Sequence, residues 1–482
     1  MEKHKVNVDL EKLQGFQAGA RAQGRSMSNM GISVVFLVLV LIYTAATQAD
    51  SPTGIFVIAA AVIGAYMAMN IGANDVANNI GPAVGSKALT MVGALLIAAV
   101  FEAAGAILAG GDVVSTIRKG IVDPSAMADQ MTFIWAMMGA LLAAALWLNL
   151  ATWFGAPVST THSIVGGVVG AGVAAAGMAS VDWVKMSAIA ASWVISPLLG
   201  GVVAALFLFM IKKLILAKDD MLEASRTWVP VFIAIMAGAF SMYLVMKGLK
   251  KLWVPGTGML WLIGFGAAAL TWVATKPLVA KSSFALENRR KSVAKLFTVP
   301  LICSAALLSF AHGANDVANA VGPLAAIVSA AQSTDMGTGK VSLPLWVMII
   351  GAIGISIGLL LFGPKLIRTV GEKITKLNQM RAFCVALSAA ITVIGASWLG
   401  LPVSSTHIAV GGVFGVGFLR EYLSTQPNQK LKKSASDKKK RERRRLVRRR
   451  EMLTIAAAWV ITVPASALLS AALFYVFTNV FE

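Results

Sequence analysis

The chain has 482 residues and is 57% hydrophobic but only 13% charged. Soluble domains carry about 25% charged residues, so this composition excludes a soluble globular protein. A bilayer core of about 30 Å requires roughly 20 apolar residues per helix, and apolar segments of that length recur between residues 31 and 481. The sequence predicts an all-α, polytopic protein of the cell (plasma) membrane with about 12 to 13 transmembrane segments.

The formal net charge of +20 is concentrated in one stretch. Residues 430–450 hold 13 Lys and Arg against Asp437 and Glu442. Cytoplasmic loops carry such an excess, so we expect a cytoplasmic loop that lies against anionic headgroups rather than a nucleic-acid site. Cys303 and Cys384 both lie in apolar runs and indicate neither a disulfide framework nor a metal site.

Two sequence blocks occur twice. GANDVANNIGP at 72–82 returns 241 residues later as GANDVANAVGP at 313–323, identical at nine of eleven positions. GAPVSTTHSIVGG at 155–167 returns 245 residues later as GLPVSSTHIAVGG at 400–412. Because order and spacing both repeat, the chain contains two copies of one unit.

The pattern divides the chain into predicted regions. In order, these are a cytoplasmic N-terminal tail at 1–30, an extra transmembrane span at 31–48, a first repeat at 54–212, linking spans and loops at 213–294, and a second repeat at 295–482 with a basic cytoplasmic loop at 420–451. When the basic segments are placed in the cytoplasm, the two repeats cross the membrane in opposite directions. Lys247, Lys250 and Lys251 fall on the outer side and count against this orientation.

The first duplicated block places a carboxylate in an apolar span of each repeat. Asp75 and Asp316 are therefore functional candidates, because an acid inside a membrane is costly. The Gly-Pro that ends each block predicts an interrupted helix with free carbonyls. Carboxylate and amide oxygens suit sodium, and a carboxylate alone could carry a proton; both remain open. The neighbouring amides are Asn74, Asn78, Asn315 and Asn319.

The second block supplies neutral hydroxyl groups just after Pro157 and Pro402. Pro followed by Ser or Thr is typical of a helix N-terminus, where free amides and the helix dipole attract an anion. A tetrahedral oxyanion could bind there reversibly, without Lys or Arg. The six hydroxyl residues are Ser159, Thr160, Thr161, Ser404, Ser405 and Thr406.

The duplicated blocks resemble the inorganic phosphate transporter (PiT) family over most of residues 54–479. The segment FEAAGAILAGGDVVSTIRKGIVD at 101–123, which includes Glu102, is similar to the sodium-coupled branch. The resemblance implies symport of phosphate with sodium, or with protons in some bacterial members. It also implies an inverted-repeat fold with broken helices and hairpins, and a homodimer.

The resemblance also implies roles for individual residues. The sodium ligands would be Asp75, Asn78, Asp316 and Asn319. The phosphate site would comprise the six hydroxyl residues together with Asp75, Asp316, Asn74 and Asn315. Glu102 is a candidate for coupling. The chain departs from the sodium-coupled pattern around Ala386, where relatives usually carry another glutamate.

The prediction is a secondary active symporter that works by alternating access, with no enzymatic activity and no cofactor beyond the transported sodium ion. A proton-coupled symporter and a sulfate transporter on the same scaffold remain alternatives, although an acceptor such as Asp75 favours phosphate, which can donate a hydrogen bond. Ser159 and His162 could suggest a hydrolase, but no orienting acid accompanies them. We expect His162, His312 and His407 to hydrogen-bond the motif helices.

Overall fold

The computed structural model describes the backbone of residues 2–156, 158–248, 253–332, 343–373, 377–425 and 449–481. Side chains are described in the same ranges except 2–23, 25, 118–119, 369–373, 424–425 and 449–456. Most of the basic loop predicted at 420–451 lies outside the described residues, as does Pro157.

Fifteen helices, and no β-sheet, account for the described part of the chain. They are α1 (Glu2–Gln48), α2 (Gly54–Gly85), α3 (Met91–Ala109), α4 (Gly111–Lys119), α5 (Gln130–Phe154), α6 (Thr160–Ala176), α7 (Trp183–Ile211), α8 (Met221–Tyr243), α9 (Thr257–Ser283), α10 (Arg290–Leu296), α11 (Thr298–Gln332), α12 (Leu345–Lys373), α13 (Gln379–Trp398), α14 (Ser405–Thr425) and α15 (Arg449–Phe481).

Among the described residues, eleven helices are long and apolar enough to cross a membrane. The apolar helix α6 is shorter than these eleven and is not counted among them. The predicted all-α membrane fold is therefore confirmed. α1 adds one feature to the prediction, because it is helical from Glu2 and continues without a break into the apolar part Ser26–Gln48.

The helices that carry the first motif are continuous, so the interruption predicted there was wrong. α2 passes through Asp75 and Pro82, and α11 passes through Asp316 and Pro323. A proline removes one backbone donor, and the packed helices around it in a membrane protein tolerate that local loss. The breaks lie instead at Gly110 and in the two coils that precede α6 and α14.

Each repeat packs mainly on the other one. α2 contacts α12 and α3 contacts α11, while α6 contacts α15 and α7 contacts α14. The first two contacts are equivalent to each other when the two repeats are interchanged, and so are the last two. This equivalence indicates a pseudo-twofold relation between the repeats. The two repeats therefore form one shared core rather than two separate bundles.

The register of these contacts shows the direction of the repeats. Gly354 of α12 packs against Ala65 of α2, and Gly363 packs against Val76, so α2 and α12 are parallel. α2 is the first span of its repeat and α12 is the second span of the other. Because consecutive spans cross in opposite directions, the first spans of the two repeats must be antiparallel. The repeats are inverted in topology, as predicted.

Close helix packing depends on glycines that occupy matching positions in the two repeats. Gly170 of α6 lies against the backbone of Ala467, and Gly415 of α14 lies against the backbone of Gly201. Small residues at such positions allow membrane helices to approach closely.

Outside the membrane, a carboxylate fixes where one span begins. Asp129 caps α5 by accepting a hydrogen bond of 2.7 Å from the backbone N–H of Thr132, and this bond lowers the pKa of the carboxyl below its usual value.

Gly170→Ala and Gly415→Ala should destabilise the protein, because the added Cβ would overlap the facing backbone. A helical Gly→Ala change otherwise stabilises by roughly 0.5–1 kcal/mol, so a lower melting temperature isolates the steric effect. Gly266→Ala in α9, where a Cβ meets open space, is the matched control. The measurement is thermal unfolding of the detergent-solubilised protein; equal melting temperatures for all three variants would contradict close packing here.

Candidate phosphate and cation site

The second duplicated block lies where one helix ends and the next begins, between α5 and α6 in the first repeat and between α13 and α14 in the second. Gly155 directly follows α5 and Gly400 lies two residues after the end of α13, and both glycines have φ of 69°. This left-handed conformation, which glycine adopts without strain, turns the chain into a short coil. α6 and α14 then begin with serine caps: Ser159 Oγ accepts from His162 N at 3.1 Å and Ser404 Oγ accepts from His407 N at 3.3 Å. The N-cap arrangement predicted from the sequence is present in both repeats.

The carboxylate and amide groups of the first motif contact hydroxyl groups of the opposite repeat. Thr406 Oγ1 donates to Asp75 Oδ1 at 3.1 Å and accepts from Asn78 Nδ2 at 2.8 Å. In the other half, Asn319 Nδ2 lies 3.2 Å from the hydroxyl oxygens of both Thr160 and Thr161. The predicted site residues of the two repeats therefore form one polar cluster.

Asp316 is the most heavily hydrogen-bonded acid of this cluster. Its Oδ1 accepts from the Asn315 and Asn319 amides at 2.9 Å each and from Thr161 at 3.3 Å. Its Oδ2 accepts from Ser405 Oγ at 2.8 Å. Asp316 thus links both hydroxyl clusters to the first-motif helix of the second repeat.

The cluster is buried in the protein. No predicted phosphate or sodium residue exposes more than 5% of its surface. Among the residues whose burial the structure describes, no Lys or Arg is buried, so His312 is the nearest basic group to the two acids. An oxyanion in this cluster would meet hydroxyl groups, amides and helix N-termini rather than a fixed cation.

Two of the predicted phosphate residues hold the coils that carry the second motif. Asn74 donates to Ala156 O at 3.3 Å and accepts from Val158 N at 3.4 Å. Asn315 donates to Val403 O at 2.7 Å. Both amides lie in the cluster, but these bonds direct them to the backbone before α6 and α14, where they set the position of the hydroxyl groups.

Glu102 lies beside the cluster and contacts it through a histidine. Its Oε1 accepts from Asn79 Nδ2 at 2.8 Å, and its Oε2 lies 3.1 Å from His312 Nδ1. The Nε2 of the same imidazole lies 2.8 Å from Asp316 Oδ2 and 3.5 Å from Asp75 Oδ2. No role was predicted for Asn79, and His312 was expected only to hydrogen-bond its motif helix. The other repeat has Ala320 and Ile71 at the matching positions, and these differences are the signal that the sequence contained.

The other two motif histidines and two tryptophans form a row of tilted and edge-to-face ring contacts, here called the stack, across the interface of the repeats. The ring centroids are 3.9 Å apart for Trp193 and His162, 4.4 Å for His162 and His407, and 3.6 Å for His407 and Trp459. Trp193 also donates to Pro402 O at 3.2 Å. The stack joins the last span of each repeat to the hydroxyl-bearing helices. The matching positions of the two tryptophans were visible in the sequence.

Inverted repeats that meet at a buried polar cluster are the architecture of membrane transporters, and the fold and the site place this chain in that class. Residues 71–470 match the model of the phosphate transporter family. The chain belongs to the phosphate transporter family, so the resemblance read from the duplicated motifs is confirmed.

Several known proteins are similar over most of the chain. A Helicobacter pylori protein, described as a phosphate permease, is 53% identical to this chain. The alignment covers 88% of this chain and 80% of that protein. The chloroplastic inorganic phosphate transporter 2-1 of Arabidopsis thaliana is 35% identical, with 87% and 72% covered. A solved structure described as the sodium-dependent phosphate transporter has a TM-score of 0.79 and 36% identity, with 88% of this chain and 99% of that chain covered.

Replacing His407 tests whether the stack stabilises the interface through its rings. Neither ring nitrogen of His407 forms a hydrogen bond within the described part of the chain. His407→Phe should therefore keep the folding stability, whereas His407→Ala leaves a cavity and should cost about 3 kcal/mol. Thermal melting of both variants in detergent is the measurement. If Phe destabilises as much as Ala, the imidazole nitrogens matter and the packing explanation is wrong.

Proposed function

We propose that the protein is a secondary active symporter that imports inorganic phosphate with sodium by alternating access. The proposal rests on hydrogen bonds that join the two repeats. Thr406 donates to Asp75, and Asn319 donates to Thr160 and Thr161. Acids and hydroxyl groups from oppositely oriented helices share one occluded cluster, as an ion-coupled anion site requires. The solved relative described as a sodium-dependent phosphate transporter supports both the substrate and the ion.

Phosphate would bind at the N-termini of α6 and α14. The hydroxyl groups of Thr160, Thr161, Ser405 and Thr406 would donate to its oxygens, and the free amides of the two first turns would add positive potential. Phosphate that keeps a proton can also donate to an aspartate, whereas sulfate at neutral pH cannot. This difference favours phosphate over sulfate.

Sodium would bind among the oxygens of the first motif. Asp75 and Asp316 supply carboxylate oxygens, and Asn78 and Asn319 lie on the same face one turn further along their helices. Hard cations prefer such oxygen ligands. The sodium charge would offset both the buried acids and the incoming anion, which gives a physical reason for coupling.

Alternating access follows from the same contacts. The occluded cluster must open towards one side at a time, and opening breaks hydrogen bonds between the repeats. Bound phosphate and sodium would replace these bonds, so the loaded and the empty protein could both close, whereas a half-loaded site would leave buried charge unpaired. The homodimer implied by the family stays a prediction.

Asp75→Asn and Asp316→Asn should each reduce sodium-driven phosphate uptake at least tenfold, because each removes a cation ligand worth more than about 1.4 kcal/mol. Uptake of labelled phosphate into proteoliposomes under a sodium gradient is the measurement, with a proton gradient as the comparison. Asp219→Asn, an exposed acid between α7 and α8, is the control. Full uptake in both motif variants, or uptake driven by protons alone, would refute sodium coupling through these acids.

Thr161→Val keeps the shape of the side chain but removes a donor to Asp316 and to bound phosphate. A hydrogen bond to a charged group contributes about 1.5–3 kcal/mol, so half-saturation should require at least tenfold more phosphate. Thr227→Val, on an exposed face of α8, is the control. Uptake is measured against phosphate concentration with sulfate as competitor; stronger competition by sulfate than by phosphate would favour a sulfate transporter instead.

A further inference from the structure

One imidazole lies between three buried acids. His312 is fully buried, and its Nε2 faces Asp316 Oδ2 at 2.8 Å and Asp75 Oδ2 at 3.5 Å. Its Nδ1 faces Glu102 Oε2 at 3.1 Å. Three carboxylates therefore surround a group that can carry at most one positive charge.

Several atoms of this group form no hydrogen bond of ordinary geometry within the described chain. They are Asp75 Oδ2, Glu102 Oε2 and both ring nitrogens of His312. Buried polar atoms are normally satisfied, and leaving one unpaired costs about 1–3 kcal/mol. These atoms face one another at 2.8–3.5 Å but without the angles of a hydrogen bond, which is the arrangement of a ligand set.

Among the described residues the arrangement occurs once, although the repeat occurs twice. The matching block of the first repeat has Ile71 where the second has His312. The packing against Gly72 and Gly313 places Ile355 where the first repeat has Glu102. The two apolar residues break the symmetry, so a site that needs both an imidazole and its acid can form only on one side.

We propose that Asp75, His312 and Asp316 bind a divalent transition-metal ion of the Zn²⁺ type. Imidazole nitrogen is a common ligand of Zn²⁺ and of its neighbours in the transition series. Hard cations such as sodium prefer oxygen ligands, so the presence of His312 favours a transition metal. One ligand atom from each of the three residues lies within 4.8 Å of the others. A 2+ charge would neutralise the two aspartates.

The distances fit this ion after a small adjustment. Zn–N and Zn–O bonds of about 2.0–2.2 Å place tetrahedral ligands about 3.4 Å apart. Asp316 Oδ2 and Asp75 Oδ2 lie 2.8 and 3.5 Å from His312 Nε2, which brackets this value, and ligand atoms of the two aspartates lie within 4.8 Å of each other. Three protein ligands leave the fourth position open to water or to another exchangeable ligand.

Glu102 lies on the side of the His312 ring that faces away from the proposed metal. A metal-bound histidine usually directs its other nitrogen to a carboxylate, which orients the ring and increases its basicity. Glu102 has this position relative to Nδ1, and the Asn79 amide holds the carboxylate at 2.8 Å. In the metal-bound protein, Glu102 is therefore a positioning residue.

The metal and sodium would share Asp75 and Asp316. Micromolar Zn²⁺ should inhibit sodium-driven phosphate uptake, and a chelator should restore it; this consequence rests on the proposed function. Binding of the metal to the protein does not depend on the proposed function. A protein that binds Zn²⁺ but transports no phosphate would refute only the symporter, and a transporter without the metal site would refute only this inference.

The experiment titrates Co²⁺ into the purified, metal-stripped protein in detergent, follows the visible absorption of the bound ion and displaces it with Zn²⁺. We expect one equivalent per chain, at least hundredfold weaker binding in His312→Gln, and about 10–100-fold weaker binding in Glu102→Gln. His407→Phe, which removes another buried imidazole, should bind as the parent does.

Equal affinity in the parent, His312→Gln and Glu102→Gln would overturn the proposal, as would two equivalents per chain that both persist in His312→Gln. Size-exclusion profiles identify any variant that fails to fold. If His312→Gln is such a variant, Glu102→Gln decides alone, because it keeps the size of the side chain and an oxygen acceptor for Asn79. Unchanged affinity in a folded Glu102→Gln protein would then refute the site.

Discussion

The structure depends on keeping the carboxylates of Asp75 and Asp316 inside an apolar bilayer. Each would cost about 2.5–3.5 kcal/mol on insertion if nothing compensated it. Asp316 is compensated by two amides and two hydroxyl groups, and Asp75 by Thr406 of the other repeat. Since these partners come from both repeats, the acids can be buried only when the repeats assemble. The same requirement is the physical basis of the cation binding proposed at this point.

Much of the site could be predicted from the residues. The duplicated acids and hydroxyl groups indicated a shared cluster, and Ser159 and Ser404 indicated the two helix starts, because capping depends on local sequence. The family confirmed the phosphate reading. The roles of the individual binding residues stay predictions.

Other features depended on contacts between distant segments. The sequence alone could not show that α2 continues past Pro82, because neighbouring helices decide whether a proline breaks a membrane helix. The contact between His312 and Glu102 joins residues 210 positions apart, and no local pattern encodes it. The sequence did contain a difference between the two copies at the positions of Asn79 and His312. Positions at which two copies of a repeat differ indicate sites that occur in only one copy.

The exchanged pairing of the repeats has a consequence for biogenesis. α2 packs on α12, which begins 260 residues after α2 ends. At ribosomal rates of about 5–20 residues per second, α2 waits on the order of 10 to 50 s for its neighbour. During that interval Asp75 has no Thr406 to bind. The first repeat therefore acquires its full set of polar contacts only after the second repeat has emerged.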